Sequence, residues 1–563
     1  MNSWRRLRPK LLECLPNYRQ RDFVSDVIAG ITVGLVALPL AMAFGIASGV
    51  TPQAGIYTAV LGGFLVSLLG GSKVQIGGPT GAFVVIVAGI IAAKGLSGLL
   101  MVTMMAGVIL IFLGVTGLGN AVRFIPRPVV IGFTNGIAVL IASTQIKDFF
   151  GLQMSQVPSE FIRRSEAYVQ QFWTLQWPAL ALGAISLAII LFLPRVLPRI
   201  PGSIAALLVG TLATWAFGLP VETIGTKFGG IPSGLPHINL PQFRVDLLIP
   251  LFPSALTVAV LAALESLLSA VVSDTMTGDR HNSSAELVAN GAANLLVPLF
   301  GGIPVTGAIA RTATNFRSGG RTPIAGIVHA FTLLMVILVF APLAKFIPLA
   351  TLAAVLFVVA YNMGEWREIP GILRLEIADK SVWLITFVLT VVADLTVAVE
   401  VGMFLAALLY IYRVSDTTTV SVVTADYIEL GRAHSLQDKI VPPYVSILRI
   451  HGPFLFGTAE KLADETADLS EFNPIVVLRL RNMTVIDATG LHALEKLADR
   501  LKRSGRSLVL CGARNQPARF LAQAEFVEHI GPDNIVPHVE EALTRCEALY
   551  AQTLEGTYSP KQV

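Results

Sequence analysis

The sequence predicts a polytopic α-helical membrane protein with an α/β domain at its carboxyl end. Of its 563 residues, 54% are hydrophobic and 14% are charged, whereas roughly a quarter are charged in an ordinary globular protein. Apolar runs of about 20 residues, enough to cross a hydrocarbon core of about 30 Å, recur from Val24 to Tyr412. Beyond Tyr412 the chain becomes charged, and strand-like and helix-like blocks alternate, which is typical of a parallel sheet flanked by helices.

The apolar runs indicate full spans and two shorter pieces, which together make fourteen transmembrane elements. The spans are expected at residues 24–45, 53–70, 97–118, 126–146, 174–193, 200–218, 247–273, 283–300, 322–342, 348–361, 381–396 and 397–412, and the short pieces at 79–93 and 304–316. Lys and Arg accumulate in alternate loops, which places the amino terminus and the carboxyl-terminal domain in the cytoplasm. The expected location is a cell membrane, in a bacterium the inner membrane.

The composition divides the chain into five parts. These are an amino-terminal segment at 1–23, a membrane region at 24–415, a linker at 416–439, the α/β domain at 440–552 and a tail at 553–563. Cys14, Cys511 and Cys546 lie far apart without metal-type spacing, so we expect free thiols facing a reducing cytosol. The sequence holds no phosphate loop, metal-ligand cluster or nucleophile triad, so we expect neither an enzyme nor a cofactor, and no nucleic-acid partner.

The two short pieces occupy matching positions, because each is the third element of a seven-element half. Each follows glycines and a short strand-like stretch, KVQIGGPTGAF at 73–83 and LFGGIPVTGAI at 299–309. Glycine and proline break a helix there, and unwound backbone at membrane depth must be covered by protein or line a cavity. The glycines alone would also suit close helix packing. Two interrupted segments in corresponding places point instead to a binding site between the halves.

Arg311 lies in the second short piece. A charged Arg at the centre of a membrane helix costs about 2.5–3.5 kcal/mol, so it is expected to face a cavity or a partner. Helix starts near Pro79–Gly81 and Pro304–Thr306 would each present free N–H groups and a partial positive charge. With Arg311 they predict an anion pocket, to which Thr80 and Thr306 add hydroxyls and which Phe44 closes on one side. The alternatives are an Arg311 that snorkels to the helix end and threonines that only cap helices.

Glu265 is the second charge in an apolar run, and Ser269 lies four residues further along the same helical face. A carboxylate in that setting either pairs with a cation or takes up a proton. Both outcomes suit ion-coupled transport, with H⁺ or Na⁺ as the coupling ion at Glu265 and Ser269. The alternative is a structural salt bridge, which Arg311 could complete.

These residues resemble the SulP (sulfate permease) family. The resemblance runs from DVIAGITVGLVALPLAMAFGIASGVTPQAGIYTA through IGGPTGAF and ESLLSAVVSDTMTGDRHNSSAELVANGAANLLVPLFGGIPVTGAIARTATNFRSGGRT, and the carboxyl-terminal part is similar to a STAS domain, with DATG at 487–490. It implies a seven-plus-seven inverted repeat, a core that moves against a gate, and a homodimer. It also implies anion contacts between the third and tenth elements, which fall here on Thr80, Gly81, Thr306, Ala308 and Arg311.

The chain departs from the family pattern at several positions. Leu40 stands where many members have Gln, and Ala310 replaces a common serine before the arginine. The stretch LPLAMAF, which contains Leu40, is similar to that of bacterial members that carry C4-dicarboxylates. Sodium-coupled bicarbonate members have Asp where this chain has Glu265, so Glu265 favours proton coupling. Ala488 occupies the phosphate-acceptor position of related STAS domains, which excludes a phosphoswitch there and leaves Thr489 as a weak substitute.

The resulting hypothesis is a secondary active transporter of sulfate, bicarbonate or a C4-dicarboxylate. One alternative is an anion channel on the same fold. Another is a membrane-tethered regulator whose STAS domain binds a nucleotide or a cytoplasmic protein partner. An anchor alone would not need a buried Arg and a buried Glu in broken helices, which favours transport.

Overall fold

Residues 7–117, 126–154, 157–158, 160–197, 200–231, 238, 244–393, 395–423 and 439–557 are described by a computed structural model. Their contacts separate two units, Met1–Ala406 and Ala407–Val563. The predicted amino-terminal segment, linker and tail each extend in part outside the described residues.

Each predicted apolar run contains helix within its described residues. In the second short piece the helix begins at Ile309 and not near Pro304–Thr306, because Thr306–Gly307 forms a strand. The helices are α1 Lys10–Cys14, α2 Gln20–Ala47, α3 Pro52–Tyr57, α4 Gly63–Leu69, α5 Val84–Thr116, α6 Arg127–Phe150, α7 Phe161–Gln171, α8 Trp177–Val196, α9 Gly202–Phe217, α10 Ile224–Phe228, α11 Leu248–Thr277, α12 Ser283–Leu296, α13 Ile309–Arg317, α14 Ile324–Ala344, α15 Leu349–Met363, α16 Ile369–Ile372, α17 Ile377–Val392 and α18 Leu395–Asp416. Within the described ranges, eight helical stretches are long and apolar enough to cross a membrane. The count of fourteen elements remains a prediction.

The first short piece and the span after it form one helix with an interruption. Within α5, Gly95 has φ 69° and ψ −178°, a conformation outside the helical region that glycine adopts without steric cost. The part of α5 before Gly95 rises only about 16 Å at 1.5 Å per residue. It therefore cannot cross a membrane by itself, as the sequence predicts for residues 79–93.

The second short piece is helix α13, which has nine residues and is about 14 Å long. A very short strand, β2 Thr306–Gly307, ends two residues before the start of α13. It pairs antiparallel with β1 Gly77–Gly78. The pairing joins two stretches of chain more than 220 residues apart. The two interrupted segments are therefore adjacent in space, as their matching positions in the sequence suggest.

Glycines let the helices around these segments approach closely. A Cβ added to Gly107 of α5 would lie 2.7 Å from the carbonyl oxygen of Gly291 of α12, and one on Gly291 would lie 2.7 Å from the oxygen of Gly107. Gly30 of α2 is equally tight against α14, since its Cβ would lie 2.5 Å from the oxygen of Ala325. Small residues at such crossings are the usual means of helix association in lipid.

The second unit is a five-stranded sheet covered by helices on both faces. The strand order is β3-β4-β5-β6-β7, with β3 antiparallel to β4 and the remaining neighbours parallel. The strands are β3 Thr419–Val423, β4 Val445–Phe454, β5 Ile475–Ile486, β6 Ser507–Cys511 and β7 Ile535–Val536, and the helices are α19 Ala459–Glu465, α20 Ala488–Arg503, α21 Asn515–Gln523, α22 Val527–Ile530 and α23 Val539–Thr557. Side chains of α19, α20 and α21 pack on one face and those of α23 on the other.

One prediction about this unit needs correction. Residues 416–439 are predicted to be a linker, but strand β3 lies inside that range and pairs along five residues with β4. The segment Thr419–Val423 reads TVSVV, in which every residue except Ser421 is β-branched, and β-branched residues favour a strand. The sheet therefore begins before the predicted start of the α/β domain at residue 440.

The three thiols differ in burial, which predicts their reactivity. Burial raises the pKa of Cys511 to about 11 and that of Cys546 to about 12, so both remain protonated at neutral pH and the reactive thiolate is scarce. Cys14 is only partly buried. We expect a maleimide at neutral pH to label Cys14 at least about tenfold faster than either other cysteine. Peptide mapping by mass spectrometry checks this, and equal labelling of all three in the native chain would contradict it; denatured protein is the control.

Candidate functional site

The two interrupted segments meet through backbone pairing. Gly77 lies opposite Gly307, and Gly78 lies opposite Thr306. The pairing continues where the Ala308 N–H donates to the carbonyl oxygen of Ile76 over 2.9 Å. Directly after each strand a helix begins, at the 3₁₀ turn Gly81–Phe83 that leads into α5 and at Ile309 of α13. Two helix starts, with their free N–H groups, are thereby placed beside each other.

Arg311 connects the two segments. Its side chain is only 3% exposed, and its guanidinium donates to the carbonyl oxygen of Pro79 and, over 3.4 Å, to that of Gly77. Within the described ranges it forms no ion pair with a carboxylate, Glu265 included. Arg311 therefore points inward across the paired segments and does not snorkel to a helix end.

Gly78 is required by this contact. It has φ 146°, a conformation that residues with side chains rarely adopt. A Cβ at this position would also lie 2.4 Å from Nη1 of Arg311. The glycine lets the guanidinium lie directly against the backbone of β1.

Thr80, Gly81 and Phe44 lie together at the first helix start. A Cβ added to Gly81 would lie 3.3 Å from Cε1 of Phe44, whose ring is 4% exposed. The hydroxyl of Thr80 is buried and has no hydrogen-bond partner in the part of the chain that the structure describes. Buried polar groups in native proteins are almost always paired. Thr80 therefore has a hydroxyl available to a bound molecule.

Thr306 differs, because its hydroxyl is already used. It donates to the carbonyl oxygen of Ala262 over 3.1 Å and lies 2.8 Å from Oγ of Ser266. Ser266 in turn accepts from the N–H of Gly307 over 3.0 Å. These bonds hold β2 against helix α11. Ala308, at the entry to α13, contributes its backbone to the pairing with Ile76.

Glu265 and Ser269 share a helix but face different neighbours. Ser269 is fully buried and lies 3.0 Å from the hydroxyl of Thr312 in α13. Glu265 is partly buried and lines an apolar cleft with Leu264, Phe133 of α6 and Met403 of α18. Among the described residues no hydrogen bond or ion pair of its carboxylate is found. The arrangement does not bring the two oxygens together as a ready-made sodium site.

A second set of polar residues, which sequence reasoning missed, supports the unwound backbone. Asn294 donates to the carbonyl oxygen of Val305 over 2.8 Å and accepts from its N–H over 2.9 Å. Glu286 accepts from Gln75 over 2.8 Å and from the N–H of Gly71 over 2.8 Å. Every helix-free stretch at membrane depth needs such partners. Their signal in the sequence was the four-residue spacing of Asn282, Glu286, Asn290 and Asn294, which puts them on one helix face.

In the second unit, the DATG turn has a structural function. The carboxylate of Asp487 accepts from the N–H of Gly490 over 2.8 Å and from that of Phe456 over 3.0 Å, so it caps helix α20. Ala488 begins that helix, and the side chain of Thr489 is exposed. Asp487 thus ties the start of α20 to the end of β4.

Comparison with known proteins agrees with these features. Residues 23–386 match the Sulfate permease family, and residues 437–542 match the STAS domain. The chain is 42% identical over 527 residues to the putative sulfate transporter YvdB of Bacillus subtilis, covering 93% of this chain and 98% of that one. It is 32% identical over 557 residues to the bicarbonate transporter BicA of Picosynechococcus, covering 96% and 98%.

Solved structures show the same fold. The transmembrane domain of a cyanobacterial BicA superposes with a TM-score of 0.62 at 33% identity, covering 69% of this chain and 98% of that one. Murine Slc26a9, an anion transporter in its inward-facing state, superposes with a TM-score of 0.84 at 18% identity, covering 96% and 94%. The predicted helical membrane fold with a carboxyl-terminal α/β domain is thereby confirmed. The chain belongs to the sulfate permease family of membrane transporters and carries a STAS domain at its carboxyl end.

Proposed function

We propose that the chain is a secondary active transporter that binds a small anion where the two interrupted segments meet. The observation that carries this proposal is Arg311, a buried cation without a carboxylate partner among the described residues. A guanidinium has five N–H donors, and the carbonyl oxygens of Gly77 and Pro79 use only part of them. A bound anion would supply the missing negative charge and accept hydrogen bonds from the remaining N–H groups.

The surroundings of Arg311 favour an anion over a cation. The starts of α5 and α13 add partial positive charges, and Thr80 adds an unpaired hydroxyl. The carboxylate of Glu286, which belongs to the polar residues that support the unwound backbone, already accepts from Gln75, Asn290 and Gly71. Its negative charge is therefore compensated by these donors.

The substrate class follows from the donors and from the relatives. A planar guanidinium matches carboxylate-like and sulfate-like oxygens in pairs. The relatives are named as transporters of sulfate and of bicarbonate, whereas the apolar side chains of Leu40 and Ala310 remove two polar contacts. We therefore propose sulfate, bicarbonate or a C4-dicarboxylate such as fumarate.

Glu265 is proposed as the proton-coupling residue. Its carboxylate faces an apolar cleft beside α6 and α18, where a neutral acid is far less costly than an unpaired charge. A proton bound there can travel with the anion as the membrane unit changes conformation. Sodium is the other candidate ion.

Transport by purified protein in liposomes tests the whole proposal. We expect uptake of at least one among labelled sulfate, bicarbonate and fumarate, driven by an inward proton gradient and unaffected by sodium. Failure of all three to enter under either gradient would refute it. Currents far above carrier turnover would show a channel instead.

Arg311→Ala is expected to weaken anion binding by at least about 100-fold, equal to about 2.7 kcal/mol, because the central charge is lost. Calorimetric titration of purified protein with the anion that is taken up in the liposome assay measures the affinity. Arg317→Ala is the matched control, since Arg317 is exposed at the end of the same helix. Equal affinities of the two variants would remove Arg311 from the site.

Thr80→Val is expected to affect anion binding and Thr306→Val to affect stability, because of the two hydroxyls only that of Thr80 is unpaired among the described residues. Thr80→Val should weaken anion binding about fivefold and leave the melting temperature unchanged, as expected for one lost hydrogen bond of about 1 kcal/mol. Thr306→Val should lower stability by about 1–3 kcal/mol, because Ser266 and Ala262 lose their partner. Thermal melts and titrations on both variants decide this, and the reverse pattern would contradict it.

Glu265→Gln mimics a permanently protonated side chain. We expect uptake driven by a proton gradient to fall at least about tenfold, which corresponds to about 1.4 kcal/mol. Exchange of internal for external anion should continue, because it requires no net movement of a proton. Flux assays with and without a proton gradient measure the difference. Glu160→Gln, at an exposed position, serves as control. Gradient-driven uptake at the normal rate would exclude Glu265 from coupling.

A further inference from the structure

His329 is a buried titratable residue that the proposed function does not yet use. It lies in helix α14 with 0% exposure, and neither Nδ1 nor Nε2 has a hydrogen-bond partner in the described part of the chain. The carbonyl oxygen of Val33 in α2 faces the ring but lies outside hydrogen-bonding geometry. A neutral imidazole always carries one N–H, and leaving it unpaired in the interior costs about 1–3 kcal/mol. An apolar side chain would fill the same space without that cost.

The ring lies close to the backbone of Gly77 in β1. A Cβ added to Gly63 of α4 would lie 3.6 Å from Nε2 of His329 and 3.1 Å from the carbonyl oxygen of Gly77. The same oxygen accepts from Arg311. The backbone of Gly77 thus lies between the imidazole and the guanidinium.

Arg311 is the charged group that acts on this ring. Helix α14 packs on α2, α4 and the turn Thr58–Gly62. Of these, α4 and the turn contain no titratable residue, and α2 carries Arg21, Asp22 and Asp26 within its first two turns. The carboxylate of Asp26 is taken by Thr322, by Tyr18 and by the N–H of Arg321. Arg317 is exposed at the far end of α13.

We propose that His329 binds a proton when an anion occupies the site beside Arg311. With the site empty, an imidazolium would face an uncompensated guanidinium in a region of low dielectric constant. An anion on Arg311 removes that repulsion, so a proton from the aqueous phase is taken up with the anion. By linkage the effect is reciprocal: protonation of His329 strengthens anion binding, and affinity rises as pH falls. This inference rests on the proposed anion site. It makes His329 a second proton acceptor, in addition to Glu265.

Calorimetry with the full chain tests the inference. Sulfate, which remains dianionic throughout, is titrated at several pH values between about 6 and 8, the range in which His titrates, in two buffers that differ in ionisation enthalpy. The difference between buffers reports the protons taken up per anion. We expect up to one proton from His329, and an affinity that rises up to about tenfold per unit fall in pH.

His329→Gln should abolish the proton uptake that is due to His329. The affinity for sulfate at high pH should stay within about threefold of that of the unaltered chain. Glu265→Gln should retain it, and His492→Gln, a control in the exposed surface of α20, should change nothing. Uptake that persists in His329→Gln, or that vanishes in Glu265→Gln alone, would overturn the inference and leave the anion site standing. If His329→Gln does not fold, the unaltered chain decides, because binding without proton uptake excludes the inference. Absence of sulfate, bicarbonate and fumarate binding would instead refute the proposed function.

Discussion

The bond between Arg311 and the backbone of the first interrupted segment is the constraint on which the membrane unit depends. A guanidinium buried at 3% exposure is tolerated only where donors are met and charge is balanced. Here two carbonyl oxygens meet some of the donors, and the pairing of β1 with β2 fixes their position. Since a side chain at position 78 would collide with Arg311, the contact also explains the glycine at that position.

The rest of the framework follows from the same requirement. Unwound backbone in a membrane must find partners, and α11 and α12 provide them through Ser266, Asn294 and Glu286. Glycine contacts between α5 and α12 then bring that framework close to the first segment. Among the described residues, the polar side chains of this region therefore divide into those with hydrogen-bond partners in the protein and those, such as Thr80 and His329, without one.

Much of this arrangement could be predicted from the sequence, because its signals are local. Apolar runs and the glycines and prolines at 77–81 and 301–307 sufficed to predict the fold and the two adjacent interrupted segments. The isolated charge of Arg311 sufficed to predict a buried residue beside them. The pairs that support the site could not be predicted, since Gln75 and Glu286 are 211 residues apart and nothing in either neighbourhood specifies the other. The strand at Thr419–Val423 was missed because its partner β4 begins after an intervening segment, so its pairing is not apparent locally.

The network around Glu286 has a mechanical consequence. Its carboxylate binds Gly71 and Gln75 just ahead of β1, while Asn294 of the same helix grips Val305 just ahead of β2. Helix α12 is thus hydrogen-bonded to both interrupted segments. Separating the two segments would leave buried amides and a carboxylate without partners, which is costly. Any conformational change of the membrane unit is therefore expected to keep α12 and both segments together as one rigid body.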